Sequence, residues 1–175
     1  MGGVWHRWGT IILVSVAGLP VAALVAGTLA WARRGAESAW RDSLAEVAAV
    51  AGTLPWLWMI LTPRPAARTV DVVPLRDLFQ QPDLTTAVVQ LGGNLLVFAA
   101  FGFFAPIRWR LTVYRVALIA AAGSVTVETL QYILDLGRVS SVNDVLLNTT
   151  GAVLAAAASR RYFLNDRSGT VLTRG

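Results

Sequence analysis

Cysteine is absent from the 175-residue chain, and so is lysine: all fifteen basic residues are arginine. Without cysteine there is no disulfide and no thiolate nucleophile or metal ligand. A single histidine, His6, leaves too few imidazoles for a zinc centre or a His-based catalytic pair, so no metal and no cofactor is expected. The arginine-only usage reads as codon bias of a GC-rich genome rather than as chemistry. Charge is scarce as well, at 14% of residues against 55% hydrophobic, with a mean hydropathy of +0.59. A chain of that balance is solvated by lipid rather than water. The net charge of +5 comes without any basic run interleaved with aromatics, which argues against nucleic acid as a partner.

What the sequence does have is five apolar segments, Thr10–Trp31, Leu44–Leu61, Thr86–Pro106, Leu111–Leu134 and Val142–Ala158. Most reach the roughly 20 residues a helix needs to cross the hydrocarbon layer. The fifth is short, as expected of a helix that starts below the surface or is buried among the others. Trp5, Trp8, Trp31, Trp56 and Trp109 lie near segment ends, where amphipathic rings favour the interface. The expected fold is an all-α integral membrane bundle of about five transmembrane helices with one long outer loop, Pro63–Asp83. Residues 1–163 form a single transmembrane domain and 164–175 a disordered cytoplasmic tail. With five spans, Arg7, Arg64, Arg68, Arg76 and Arg138 fall on one side and the other ten arginines on the opposite side. The arginine-rich side is expected to be cytoplasmic, which places the N-terminus outside and the C-terminus in the cytoplasm.

Polar groups within such segments are costly unless paired or hydrated, so each is a candidate for function. Glu128 lies about six residues from the outer end of its segment, roughly 9 Å deep, and Gln131 shares its face. Asp144, Asn148 and Gly151 fall at i, i+4 and i+7 on the fifth segment. Asp144 is near the helix start, where a carboxylate suits the dipole, and Gly151 permits close helix approach. Asn94 is about eight residues into the third segment, roughly 12 Å deep. Three helices thus bring polar groups to similar depth in the outer half of the membrane. Asn94, Gln131 and Asn148 also read as interhelical hydrogen bonding, Asp144 as a helix cap, and Arg138 as a loop cation. Arg33, Arg34, Arg160 and Arg161 read as topology signals.

These residues resemble the VanZ-like family of small membrane proteins over roughly residues 70–158. In NLLVFAAFGFFAP, Asn94, Phe98, Gly102 and Pro106 fit the family pattern, while Ala100 stands where proline is usual. In VETLQ followed by GRVSSVNDVLLNTTGA, Glu128, Gln131, Arg138, Asp144, Asn148 and Gly151 fit, with Ser141 and Asn143 replacing two customary acids. In VDVVPLRDL only Pro74 and the apolar frame fit; Asp71 and Leu75 depart. The missing acids weaken any metal reading, since hard cations want several oxygen ligands. The resemblance implies a multi-helix membrane protein, in a family whose founding member is tied to teicoplanin-type glycopeptide resistance.

Two functions follow as expectations. The first is a non-enzymatic envelope protein that, besides membrane lipid, binds a lipid-linked cell-wall precursor or the amphiphilic glycopeptide antibiotic at the outer face. Asn94, Glu128, Gln131, Arg138, Asp144 and Asn148 would be its ligand-binding residues, with Arg138 meeting an anionic group. The second is a membrane-embedded enzyme in which Glu128 and Asp144 divide acid–base roles on such a substrate. No nucleophile motif supports catalysis, since Ser140 and Ser141 lack a base at recognisable spacing. A transporter subunit would show a pair of interrupted helices or an inverted repeat, and the sequence displays neither.

Overall fold

The computed structural model describes the backbone of residues 2–64, 69–71 and 84–171, and the side chains of 8–64, 70–71 and 84–160. Arg68, Pro74, Leu75 and Arg76 therefore lie outside the described residues. The elements run α1 (Gly2–Ala32), α2 (Ala39–Leu61), β1 (Thr69–Asp71), α3 (Leu84–Val97), α4 (Ala99–Trp109), α5 (Val113–Ile133), β2 (Val139–Ser141) and α6 (Val142–Val171).

Four helical stretches are long and apolar enough to cross a membrane: Trp8–Ala32, Ala39–Leu61, the α3–α4 pair over Leu84–Trp109, and Val113–Ile133. The all-α membrane bundle expected from hydropathy is what forms. Large side chains such as Leu13, Val16, Leu19 and Leu24 on α1 stay exposed, which a helix in lipid can do and a water-soluble one avoids. The α1 helix packs chiefly on α2, whose first half buries Ala39, Ser43, Ala45 and Ala49.

The fifth apolar segment packs one face against three helices and leaves Leu146 and Leu154 exposed on the other. The α6 helix packs on α3, α4 and α5. Small residues set how closely it does so: a Cβ added at Gly151 would collide with the Leu95 carbonyl, and one at Gly102 with the Ala152 backbone. Without a hydrophobic driving force between helices in lipid, this backbone-to-backbone approach is what association rests on. Val97, Phe98, Val116, Ala120, Ala152 and Ala156 close the core beside it, flanked by Trp56, Leu57 and Ile60 of α2.

Two features depart from expectation. The third segment is not one helix: at Phe98 (φ −108°, ψ 11°) it breaks into α3 and α4, with the Gly102 N–H still donating to the Phe98 carbonyl at 2.8 Å. The α6 backbone contacts both sides of that break, at Leu95 and at Gly102. The α6 helix also continues to Val171, so residues 164–171, expected to be disordered, carry a helical backbone. Once a helix is anchored, each added residue forms a further hydrogen bond at little cost.

At the end of the bundle where α2 and α5 finish and α3 and α6 begin, β1 and β2 pair in parallel. Thr69 lies opposite Val139, Val70 opposite Ser140 and Asp71 opposite Ser141. The long loop is thereby tied to the segment that opens α6.

Candidate functional site

The start of α6 organises this end of the bundle. Ser141 occupies the N-cap position, and its hydroxyl accepts from the Asn143 N–H at 3.1 Å. In a capping box, the acid three residues into the helix reaches back to the N-cap N–H. Here another helix supplies that half. Glu128 of α5 accepts from the Ser141 N–H at 2.9 Å, and Ser140 donates to the Glu128 carbonyl at 3.1 Å. Asp144, the acid three residues after the cap, is left to meet α3 and accepts a short hydrogen bond from the Asn94 amide. Asp144 and Arg138 both lie close enough to act on the charge of Glu128.

Arg138 is placed differently from expectation. Its guanidinium is engaged by backbone carbonyls at the C-terminus of α2, with Nη2 donating to Met59 at 2.6 Å and Nε to Thr62 at 3.3 Å. Gln131 donates to the Ile60 carbonyl at 2.9 Å. Together they satisfy three of the carbonyls that a helix end leaves without intrahelical partners, and the cation also complements the dipole. The Arg64 N–H adds a backbone bond to the Leu136 carbonyl at 2.8 Å. Burial lowers the Arg138 pKa to about 10, aided by the nearby charge of Arg64 and opposed by Asp144 and Glu128. At neutral pH it remains a cation.

Asn148 lies one turn deeper and is only 1% exposed; its amide donates to the Ser124 hydroxyl at 2.7 Å, while its Oδ1 has no partner among the described residues. The structure thus brings Asn94, Glu128, Arg138 and Asp144 into one half-buried cluster, with Gln131 and Asn148 in its walls. Asn94, Glu128 and Asp144 meet side chain or backbone across helices. Gln131 and Asn148 do the interhelical bonding that was their alternative reading.

Two parts of this arrangement escaped the sequence reading. Ser141 is a cap rather than simply a replaced acid, and the Ser-x-x-Asp spacing before an apolar run was the available signal. Asp71, counted as a departure from a motif, is carried by the strand register to a place opposite Ser141.

The opposite end of the bundle holds a second charged group. Glu46 of α2 receives Arg33 from the α1–α2 turn at 3.0 Å and Arg108 of α4 at 2.7 Å. Arg33 also donates to the buried Ser43 hydroxyl at 3.2 Å. Arg33 therefore joins helices in addition to any topological role. Glu46 was detectable as an acid within an apolar segment. Among the described residues no group of three or more His, Cys, Asp or Glu is placed to hold a metal ion.

A helical membrane protein whose polar side chains converge at one end of the bundle is the class these observations define. Residues 47–164, well over half the chain, match the family described as VanZ/LLP1, and the protein belongs to that family. The matched span begins inside α2, upstream of the resemblance seen from residue 70. It takes in the carbonyls that Gln131 and Arg138 hold. Comparisons with curated proteins and with solved structures find no match.

Proposed function

We propose that the cluster around Glu128 is a binding site at the outer face of the bacterial cytoplasmic membrane. Its ligand is a lipid-linked cell-wall precursor or an amphiphilic glycopeptide, through which the protein contributes to teicoplanin-type resistance. The observation that carries this reading is the convergence of Asn94 on α3, Glu128 on α5 and Asp144 on α6, beside the cation Arg138. Ionisable groups at such positions are costly unless they serve a ligand, a pathway or one another. Glu128 and Asp144 offer acceptors for the hydroxyls, amides or ammonium of a peptidoglycan precursor or glycopeptide. Arg138, with Nε and Nη2 committed to α2, meets an anionic group through Nη1. Gln131 and Asn148 keep the walls in place.

With α6 counted as a fifth crossing, the arginine asymmetry supports an orientation with the N-terminus outside and the C-terminus cytoplasmic. A reporter fused after Gly175 then reads cytoplasmic and one inserted beside Arg68 external; the reverse pair of results rejects the orientation.

A membrane-embedded enzyme is the second reading. It draws on two carboxylates near enough to feel each other's charge, the arrangement in which one group acts as acid and the other as base. Glu128→Gln separates the two. The amide keeps an acceptor for the Ser141 N–H but cannot transfer a proton. Purified protein carrying it retains precursor or teicoplanin binding if the site only binds. Loss of turnover of the precursor with binding intact selects the enzyme. Binding of neither ligand by the wild-type protein rejects the proposal.

A further inference from the structure

We propose that the end of the bundle opposite the Glu128 cluster binds the headgroup of a phospholipid carrying a primary ammonium, of the ethanolamine type. The site is a groove of about 500 Å³ lined by Glu37, Ser38, Arg41 and Arg110. It runs between the turn that enters α2 and the turn that leaves α4. Two of its four residues are already engaged. Arg41 donates through Nε and Nη2 to Asp42, at 3.3 Å each, and the Ser38 hydroxyl donates to the same carboxylate at 2.7 Å.

Arg110 and Glu37 remain. Both are exposed, and among the described residues neither makes an ion pair or a side-chain hydrogen bond, with each other or elsewhere. One open groove thus presents a separated cation and anion, the complement of a zwitterion. Arg110 ends α4 in the left-handed region, at φ 52°. Glycine would adopt this conformation without strain, and an arginine there does so at a cost.

The surroundings identify the source of the headgroup. Trp31, Trp40 and Trp109 are 68%, 62% and 43% exposed around the same end. Arg34 lies over the Trp31 ring at 4.6 Å and Arg108 over Trp109 at 5.6 Å. Exposed tryptophans on membrane helices mark the headgroup level. A planar guanidinium there matches a phosphate, and Glu37 matches an ammonium that still has N–H groups to donate. A quaternary choline cannot make that hydrogen bond, and a glycerol headgroup gives Glu37 no cation to meet.

The test uses the full-length protein in detergent with short-chain phosphatidylethanolamine, phosphatidylcholine and phosphatidylglycerol, read by native mass spectrometry of retained lipid. The wild-type protein should retain the ethanolamine lipid roughly threefold better than either other lipid, the size an exposed ion pair supports. Glu37→Gln should abolish that advantage over phosphatidylcholine while overall retention persists. Arg110→Ala, or Arg110→Gln as the milder change, should weaken retention of all three. Equal retention of the three lipids by wild type, a preference for phosphatidylglycerol, or an ethanolamine preference that survives Glu37→Gln overturns the proposal.

Discussion

The two ends of the bundle use arginine in opposite ways. Around Glu46 the cations meet a carboxylate, with Arg33 from the α1–α2 turn and Arg108 from α4 converging on one acid. Around Glu128 the cation meets main chain, with Arg138 on the carbonyls of Met59 and Thr62, and the carboxylate meets the Ser141 N–H. Side-chain ion pairs near the surface are screened by salt and contribute little. Charged groups bonded to backbone lose their geometry only when a helix end moves. The Glu46 end is therefore a tolerant clasp. The Glu128 end is a preorganised frame, and a frame of that kind is what a binding site needs.

The comparison can be broken first at its scaffold. A side chain at Gly151 collides with the Leu95 carbonyl, and no rotamer change relieves a clash with backbone. Gly151→Leu should cost about 3 kcal/mol or more, at the upper end of overpacking effects. A sharp fall in folded yield and thermal midpoint in detergent checks this; an unaltered midpoint would place Gly151 toward lipid. Arg138→Ala should come next, leaving two α2 carbonyls without their charged donor, at about 2 kcal/mol. Arg138→Lys should restore only part of that, because an ammonium cannot span both carbonyls as the planar fork does. Full rescue by lysine in a thermal melt would show that charge, rather than the fork, is what α2 requires. The smallest effect is expected from Glu46→Gln, below about 1 kcal/mol and vanishing as salt is raised. A loss as large as that of Arg138→Ala would erase the distinction between the two ends.

The sequence made the spans legible because hydropathy alone carries them, and it made Asn94, Glu128, Asp144 and Asn148 legible because polarity within an apolar run is conspicuous. The destinations of Arg138 and Gln131 were not legible. Their acceptors are main-chain carbonyls 71 to 79 residues upstream, and every residue has a carbonyl, so no residue type marks Met59, Ile60 or Thr62 as partners. The break at Phe98 was hidden for a related reason: it sits inside an unbroken apolar run, where hydropathy gives no boundary. A single interruption of this sort also falls short of the pair that a transporter reading calls for among the described residues. Packing of α6 among the other helices was one of the two readings its short apolar stretch allowed. The reach of its N-terminus was not legible, since half of its capping box comes from α5.

The absence of cysteine from the chain allows one measurement to bear directly on the proposed site, because a single introduced thiol has no background. Asn94→Cys puts that thiol on the α3 side of the cluster, beside Asp144. In intact cells, a membrane-impermeant maleimide should label it from outside. Teicoplanin or a lipid-linked wall precursor should slow the labelling in proportion to its concentration, and Glu128→Ala in the same protein should weaken that protection while Glu128→Gln leaves it in place. Labelling that occurs only after the cells are opened, or labelling from outside that neither ligand slows, would contradict an outward-facing binding site at Glu128.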